Sequence, residues 1–350
     1  MRLGVNLVHD GATVVACEAE RLGYESALVA EGYRSDAATV LGMVAGATRR
    51  LGLVSSVFQI PARTPGLTAL TASTLDAVSG GRFRLGLGIS NPDVSEGWYG
   101  VAFDDPLART REYVDVVRSA LRREPVRYQG THVRLPPPGR TGEPLRLFTE
   151  PVRADMPIYL AAVGPRNLRL TGEIADGWIA TFCSPTRVSE SVAVIAESRA
   201  AARRGRPVPA DGAGDGFEVI ACVPVAPAED VRTAADAVRP YLAHFLGMGS
   251  FDRNFYCAVA EQMGFGHQAM EVHQRVQRGD RRGAADAVPF AFIDEISILG
   301  PVGRIAGRMK EYAAAGVTTL GVSAFAPTTD GRCAILRAAR EACDVAGLDH

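Results

Sequence analysis

Two periodicities alternate along the chain. Short runs rich in Val, Leu, Ile and Phe separate longer stretches whose apolar residues recur every three or four positions. The short runs predict strands at 2–8, 26–30, 51–60, 82–89, 157–163, 178–182, 217–225 and 318–325. The longer stretches predict helices at 13–23, where Gly23 supplies a stop, from Ala37, and from Pro65 with Leu67, Leu70, Leu75 and Val78 as an apolar face. Further helices are expected at 106–124, 165–177, 185–204, 228–247, 301–317 and 332–346. Two stretches fit neither period and read as excursions, a Pro-, Gly- and Arg-rich one near 125–152 and another near 248–293.

Short apolar strands alternating with helices make a parallel sheet covered on its faces. Eight such units predict an α/β fold of the (β/α)₈ barrel type, with no linker that would divide residues 1–350. A doubly wound sheet is the alternative, but the Gly-rich fingerprint is incomplete: "GLGISN" has Asn91 where the third glycine belongs. A barrel keeps its chemistry at the C-terminal ends of its strands. That rule selects His9 and Asp10, Glu31, Ser56 to Gln59, the loop "SNPDVSEGWYG" from Ser90 to Gly100, Gly164 to Asn167, and Thr181 to Ser184.

Composition narrows the classes. With 350 residues and 47% hydrophobic content the chain can bury a sizeable core. A net charge of −1 gives no pull toward nucleic acid or anionic membrane, and no basic cluster is interleaved with aromatics. No apolar run reaches the roughly 18 residues of a membrane span, and the N-terminus lacks a secretory pattern. The six cysteines form no C-x-x-C pair and the histidines show no ligand spacing, so no metal is expected and the thiols read as free in the cytoplasm.

Among the selected positions, "AAVGPRN" is the best anion candidate. Gly164 permits close backbone approach, and Pro165 opens a helix whose first N–H groups are unpaired; an ordinary turn with Pro at the first helical position explains it equally well. Glu31 follows "ALVA" directly, so it is expected to point into the mouth as a cofactor hydrogen-bonding or proton-transfer group. His9 is a candidate acid because histidine titrates near neutrality. Trp98 and Tyr99 can stack on a ligand or pack their loop, and Trp98 is expected to help hold that loop shut. Arg109 and Arg111 read as a solvated or salt-bridged helix face.

"ARTPGLTALTASTLDAVSGGRFRLGLGIS", "VSEGWYG", "PLARTREYV", "PIYLAAVGPRN", "GEIADGW" and "EYAAAGVTTLGV" resemble the luciferase-like monooxygenase superfamily. More closely, they resemble its actinobacterial branch of coenzyme F420-dependent oxidoreductases. The resemblance runs nearly end to end. "SGGRFRLGLG" marks the superfamily, whereas "EGWYG" followed by "PLARTREYV" is specific to the branch. It implies a barrel holding a deazaflavin at its mouth. It places the cofactor phosphate at Gly164, Pro165, Arg166 and Asn167, a cis peptide at Ser56–Val57, a ring-side carboxylate at Glu31, and further cofactor contacts at Ile89, Ser90 and Thr181. His9, Asp10, Phe58, Asn91, Trp98 and Cys183 then fall on the substrate side. Several of these depart from the branch pattern: Val8, His9 and Asp10 stand where a Gly-Tyr-Trp run is typical, Asn91 where Gly is, and Cys183 where an aromatic is.

The implied activity is hydride transfer at the deazaflavin C5, with the protein binding, orienting and shielding. The expected acceptor is an electrophilic C=C or C=N bond in a small molecule or a modified peptide, dehydroamino acids included. An FMN monooxygenase and a non-catalytic F420 or flavin binder are the alternatives. A homodimer or larger homo-oligomer is expected by resemblance.

Overall fold

Strands buried on both faces need cover inside and out, and closing the sheet on itself supplies both. The computed structural model describes all residues except 33–34, 151, 154, 203–215 and 349–350. Eight parallel strands close in it: β1 (Arg2–Leu7), β2 (Ser26–Val29), β3 (Gly52–Ser55), β4 (Phe83–Gly88), β5 (Ile158–Ala161), β6 (Gly177–Thr181), β7 (Glu218–Pro227) and β8 (Thr319–Ala324). Each pairs with the next, and β8 returns to β1 with Ser323 opposite Asn6. Around them lie α1 (Ala12–Arg21), α2 (Ala37–Ala47), α3 (Pro65–Ser79), α4 (Pro106–Leu121), α5 (Pro165–Ile174), α6 (Pro185–Ala202), α7 (Val231–Leu246), α8 (Val302–Ala314) and α9 (Thr329–Ala346). Residues 203–204 of the expected 185–204 helix lie outside the described residues.

Local chemistry sets the helix starts. The side chains of Asp36, Thr64, Asp230 and Thr328 accept the N–H of Thr39, Leu67, Thr233 and Gly331, satisfying donors that have no partner inside the helix. The main core fills the space between the outward strand faces and the helices, with Leu3, Val5, Leu53, Leu85, Ile158 and Leu320 from the strands.

Inward-facing residues alternate along every strand and stack in layers. At the bottom, buried Glu218 pairs with Arg2 at 3.0 Å, accepts from Thr319 Oγ1 at 2.7 Å and from the Tyr159 hydroxyl, and lies 3.9 Å from Arg84. The middle layer is apolar: Leu28, Val54, Tyr159, Ile179 and Ile220 form their own cluster. At Gly86 of β4 an added Cβ would lie 1.9 Å from the Ser55 carbonyl oxygen, so β3 and β4 approach as closely as they do only because no side chain intervenes.

Four sequence expectations are corrected. The apolar run 51–60 is not one strand: β3 stops at Ser55, the Ser56–Val57 peptide is cis, and Phe58–Gln59 pair separately with Leu87 and Gly88. On α3, Leu67, Leu70 and Val78 are exposed, and the buried face is Thr68, Ala69, Ala72, Ser73, Leu75, Asp76 and Ser79. Small residues let α3 sit tightly on the barrel and α4, where the Thr68 and Tyr113 hydroxyls meet at 2.6 Å. The 248–293 stretch is largely helical (Phe255–Gln262, Gly266–Gln277, Arg281–Ala287 and Phe290–Glu295) and packs a second core against α7. A strand the sequence reading missed, Ile298–Gly300, then pairs with the end of β7. The 125–152 stretch carries a two-residue ribbon, Tyr128–Gln129 with Arg134–Leu135. Glu112 of α4 clamps its tip by accepting the N–H groups of Thr131, His132 and Val133, each at 2.8 Å.

Candidate active site

Above the apolar middle layer the inward positions turn polar and small. Asn6 lies near the end of β1, Ser56 follows β3, Thr181 ends β6, Cys222 lies on β7 and Ser323 on β8, while Gly88 and Ala161 leave the inward positions of β4 and β5 low. Pairing brings them together, since Cys222 is opposite Thr181 on one side and Gly321 on the other. Asn6 Nδ2 donates to Ser323 Oγ at 2.9 Å and to the Gly321 carbonyl at 3.0 Å. Ser56 Oγ lies 3.7 Å from Cys222 Sγ. Burial pushes the Cys222 thiol upward, with Ser56 and Asn6 opposing, so it stays protonated near neutrality. The result, among the described residues, is a bowl of neutral hydrogen-bonding groups with no carboxylate or base at its floor.

The rim is built by the segments that follow each strand. After β2, Glu31 is buried and ion-paired with Arg63 at 2.6 Å, and Arg63 continues to Asp36 at 2.7 Å. Glu31 also accepts from the Gln59 N–H at 3.0 Å, and its own N–H donates to the Val57 carbonyl at 3.2 Å. Its charge is therefore committed to Arg63 and to holding the 56–59 segment, which corrects the expectation that it faces the mouth as a proton-transfer group. After β4, Ile89 is half-buried in a shallow cleft with Ile60, Pro61, Phe103 and Arg109, and Ser90 adopts φ 62°, rare for a residue with a side chain.

The segment Ser90–Gly100 is not a loop throughout: Pro92–Gly97 form a short helix. Asn91 is its N-cap, accepting from the Val94 N–H at 2.9 Å, while Asn91 Nδ2 reaches Met248 Sδ at 3.2 Å. Trp98, expected to help hold this segment shut, is 65% exposed. Polar contacts hold the segment to its neighbour: Asp93 accepts from the Ser250 N–H at 2.8 Å, and Glu96 pairs with Arg253 at 2.9 Å.

At the end of β5, Gly164 is the N-cap of α5 with no side-chain cap, and an added Cβ there would meet nothing within 4 Å. Gly164, Pro165 and Arg166 are exposed and Asn167 is half-buried, so the first N–H groups of α5 face open space. His9 is exposed on the turn after β1. Asp10 is tied to Arg332 of α9, which binds its carboxylate at 2.9 Å and its carbonyl at 2.8 Å. Phe58, expected on the substrate side, is fully buried in the core beside Phe83, with Arg63 over its ring. Cys183 is likewise buried; desolvation pushes its thiol up to about 12, and Tyr312 donates to its carbonyl at 2.7 Å.

The sequence reading missed one wall. Phe182 follows β6, Tyr241 and Phe245 lie on α7, Tyr256 on the helix Phe255–Gln262, and Phe325 follows β8. Their ring centroids are 4.6 to 5.9 Å apart. Tyr241 is the member that meets the bowl, its ring between Phe182, which follows Thr181, and Phe325, and its hydroxyl close to the Thr181 side chain. Among the described residues no group of three or more His, Cys, Asp and Glu side chains is placed to hold a metal ion, and no helix is long and apolar enough to cross a membrane.

Comparison with known proteins finds the sequence profile of luciferase-like monooxygenases over residues 10–319. A protein of Mycobacterium tuberculosis that carries the provisional name of coenzyme F420-dependent oxidoreductase is 39% identical over 338 residues, 93% of this chain and 95% of that one. Among solved structures, the coenzyme F420-dependent tetrahydromethanopterin reductase of Methanopyrus kandleri superposes with a TM-score of 0.80 at 25% identity, covering 96% of both chains. An F420-dependent secondary alcohol dehydrogenase bound to an F420–acetone adduct shares the fold, with a TM-score of 0.74 at 17% identity over 97% of this chain and 98% of that one.

Proposed function

The chain belongs to the luciferase-like monooxygenase family, and from that premise we propose that it is a coenzyme F420-dependent oxidoreductase reducing an electrophilic C=C or C=N bond, with residues 1–350 acting as one barrel. The observation that carries the reading is the bowl of small neutral side chains lying beside an uncapped helix N-terminus. The residues fit the group. A flat ring needs a low floor, and Gly88 keeps it low: a Cβ there would strike Val57 Cγ2 at 2.5 Å. A phosphate needs unpaired N–H donors and room, and Gly164 with the start of α5 offers both.

In this reading Ser56, Val57, Ile89, Ser90 and Thr181 hold the ring, while Gly164, Pro165, Arg166 and Asn167 hold the phosphate. When bound, the reduced deazaflavin supplies a hydride. The chain's own work is to fix the acceptor over the ring and exclude water. Acceptors of the proposed class include unsaturated small molecules and dehydroamino acid residues of modified peptides. Six free cysteines suit a cytoplasmic setting, and the exposed Leu67, Leu70 and Val78 on α3 suit a homodimer or larger homo-oligomer.

The test is anaerobic. Chemically reduced F420 is mixed with the protein and a panel of cyclic enones and imines, and the return of oxidised F420 is followed. Protein-dependent reoxidation supports the proposal. Oxygen uptake with reduced FMN and none of this reoxidation would assign the protein to flavin monooxygenase chemistry instead.

A further inference from the structure

Hydride delivery to a neutral double bond leaves an electron pair that must be protonated, and among the described residues the bowl is lined by no carboxylic acid or imidazole to do it. The nearest oxygen acid on the aromatic wall is Tyr241. Three observations fix its place. Its ring is held between Phe245 and Phe325, at centroid distances of 4.8 and 4.6 Å, so the hydroxyl has one direction to point. That ring also lies 5.9 Å from Phe182, the residue after Thr181, which is the last inward residue of β6, so the hydroxyl is close to the Thr181 side chain. The wall around it carries no formal charge, and although Phe182 is buried, Phe245, Tyr256 and Phe325 are only partly so and offer apolar area to a flat neutral molecule.

We propose that Tyr241 is the proton donor for an uncharged, planar conjugated carbonyl acceptor that lies between the bowl and the aromatic wall. This rests on the F420 reading of the same site, which supplies the reductant. The acceptor gains a hydride at its β-carbon, the C=C π pair shifts toward the carbonyl, and an enolate forms. Tyr241 Oη, hydrogen-bonded to the carbonyl oxygen, gives up its proton there as the O–H bond breaks. The enol then becomes the saturated ketone, and the phenolate regains a proton from solvent through the Thr181 hydroxyl. Burial raises the Tyr241 hydroxyl above the ordinary tyrosine value, which keeps it protonated and ready to donate.

The test compares wild type, Tyr241→Phe and Thr181→Val with ¹³C-carbonyl cyclic enones of increasing size. With oxidised F420 present no reduction occurs, and infrared difference spectra read the enone carbonyl. Wild type should shift that band to lower wavenumber, Tyr241→Phe should abolish the shift, and F420 affinity should stay within twofold. With reduced F420, Tyr241→Phe should slow enone reduction at least a hundredfold, and Thr181→Val should give a smaller loss. An unchanged carbonyl band with a rate within threefold in Tyr241→Phe overturns the inference, as does wild type that binds F420 but no enone of the series. If wild type fails to bind F420 at all, the F420 reading itself fails and this inference falls with it.

Discussion

Gly86 and Gly88 are two residues apart on β4 and both face inward, yet they serve different ends. A Cβ at Gly86 would run into the backbone oxygen of Ser55, which cannot move without parting β3 from β4. Gly86→Ala should therefore cost about 3 kcal/mol or more in a denaturant titration. At Gly88 the obstacle is the Val57 side chain, at the rim of the bowl. Gly88→Ala should cost less stability and instead weaken F420 binding at least tenfold, read by fluorescence quenching; unchanged binding would mean the ring does not lie there. The same scale explains what the sequence hid. Thr181 and Ser56 are legible because they fall toward the mouth-side ends of predicted strands. Asn6, Cys222 and Ser323 belong to the same layer but look like flaws inside strands. A strict count of every second residue would have found them, since each falls on an inward position of its strand. Phe58 and Cys183 were misread for the converse reason: they stand near strand ends but point outward, into the core.

Among the elements, α5 and the ribbon carried by residues 128–135 make the clearest predictions. Aspartate is a good N-cap, so Gly164→Asp should leave α5 intact or stabilise it by a few tenths of a kcal/mol. It would also set a carboxylate where the phosphate is proposed to bind. Thermal stability unchanged or raised, with F420 affinity lowered at least tenfold, is the expected pair of results; unchanged affinity would remove the phosphate from this helix. The ribbon depends on Glu112. Burial raises its carboxyl, but the N–H groups of Thr131, Val133 and His132 more than offset that, and its pKa lies below the ordinary value. A lowered folded-state pKa stabilises fully above the unfolded value and is lost as pH falls through the folded one. Glu112→Gln should cost about 1–2 kcal/mol near neutrality, with the difference from wild type shrinking as both are titrated into acid. A constant difference across pH would show that charge plays no part. The exposed face of α3 shows where periodicity misleads. Leu67, Leu70 and Val78 look like the buried stripe, yet a helix wedged between barrel and α4 buries small residues instead.

Across the whole molecule the barrel separates stability from chemistry by layer. Eight strand–helix units were legible because both periods repeat so regularly; the helical cap at 255–295 was not, because its short helices lack a long apolar stripe. At the bottom, Glu218 joins Arg2, Tyr159 and Thr319 across four strands. Glu218→Ala strips Arg2 of its closest carboxylate partner and should cost about 3 kcal/mol while leaving F420 affinity within twofold, because the bowl lies above the apolar middle layer. A large loss of affinity in a folded variant would contradict that separation.

The most direct test of the account is a titration of the apoprotein with oxidised F420 and, separately, with FMN, followed by quenching of cofactor fluorescence. The bowl beside an open helix N-terminus predicts saturable F420 binding at least tenfold tighter than FMN. Tighter binding of FMN, or no saturable binding of F420, would contradict it.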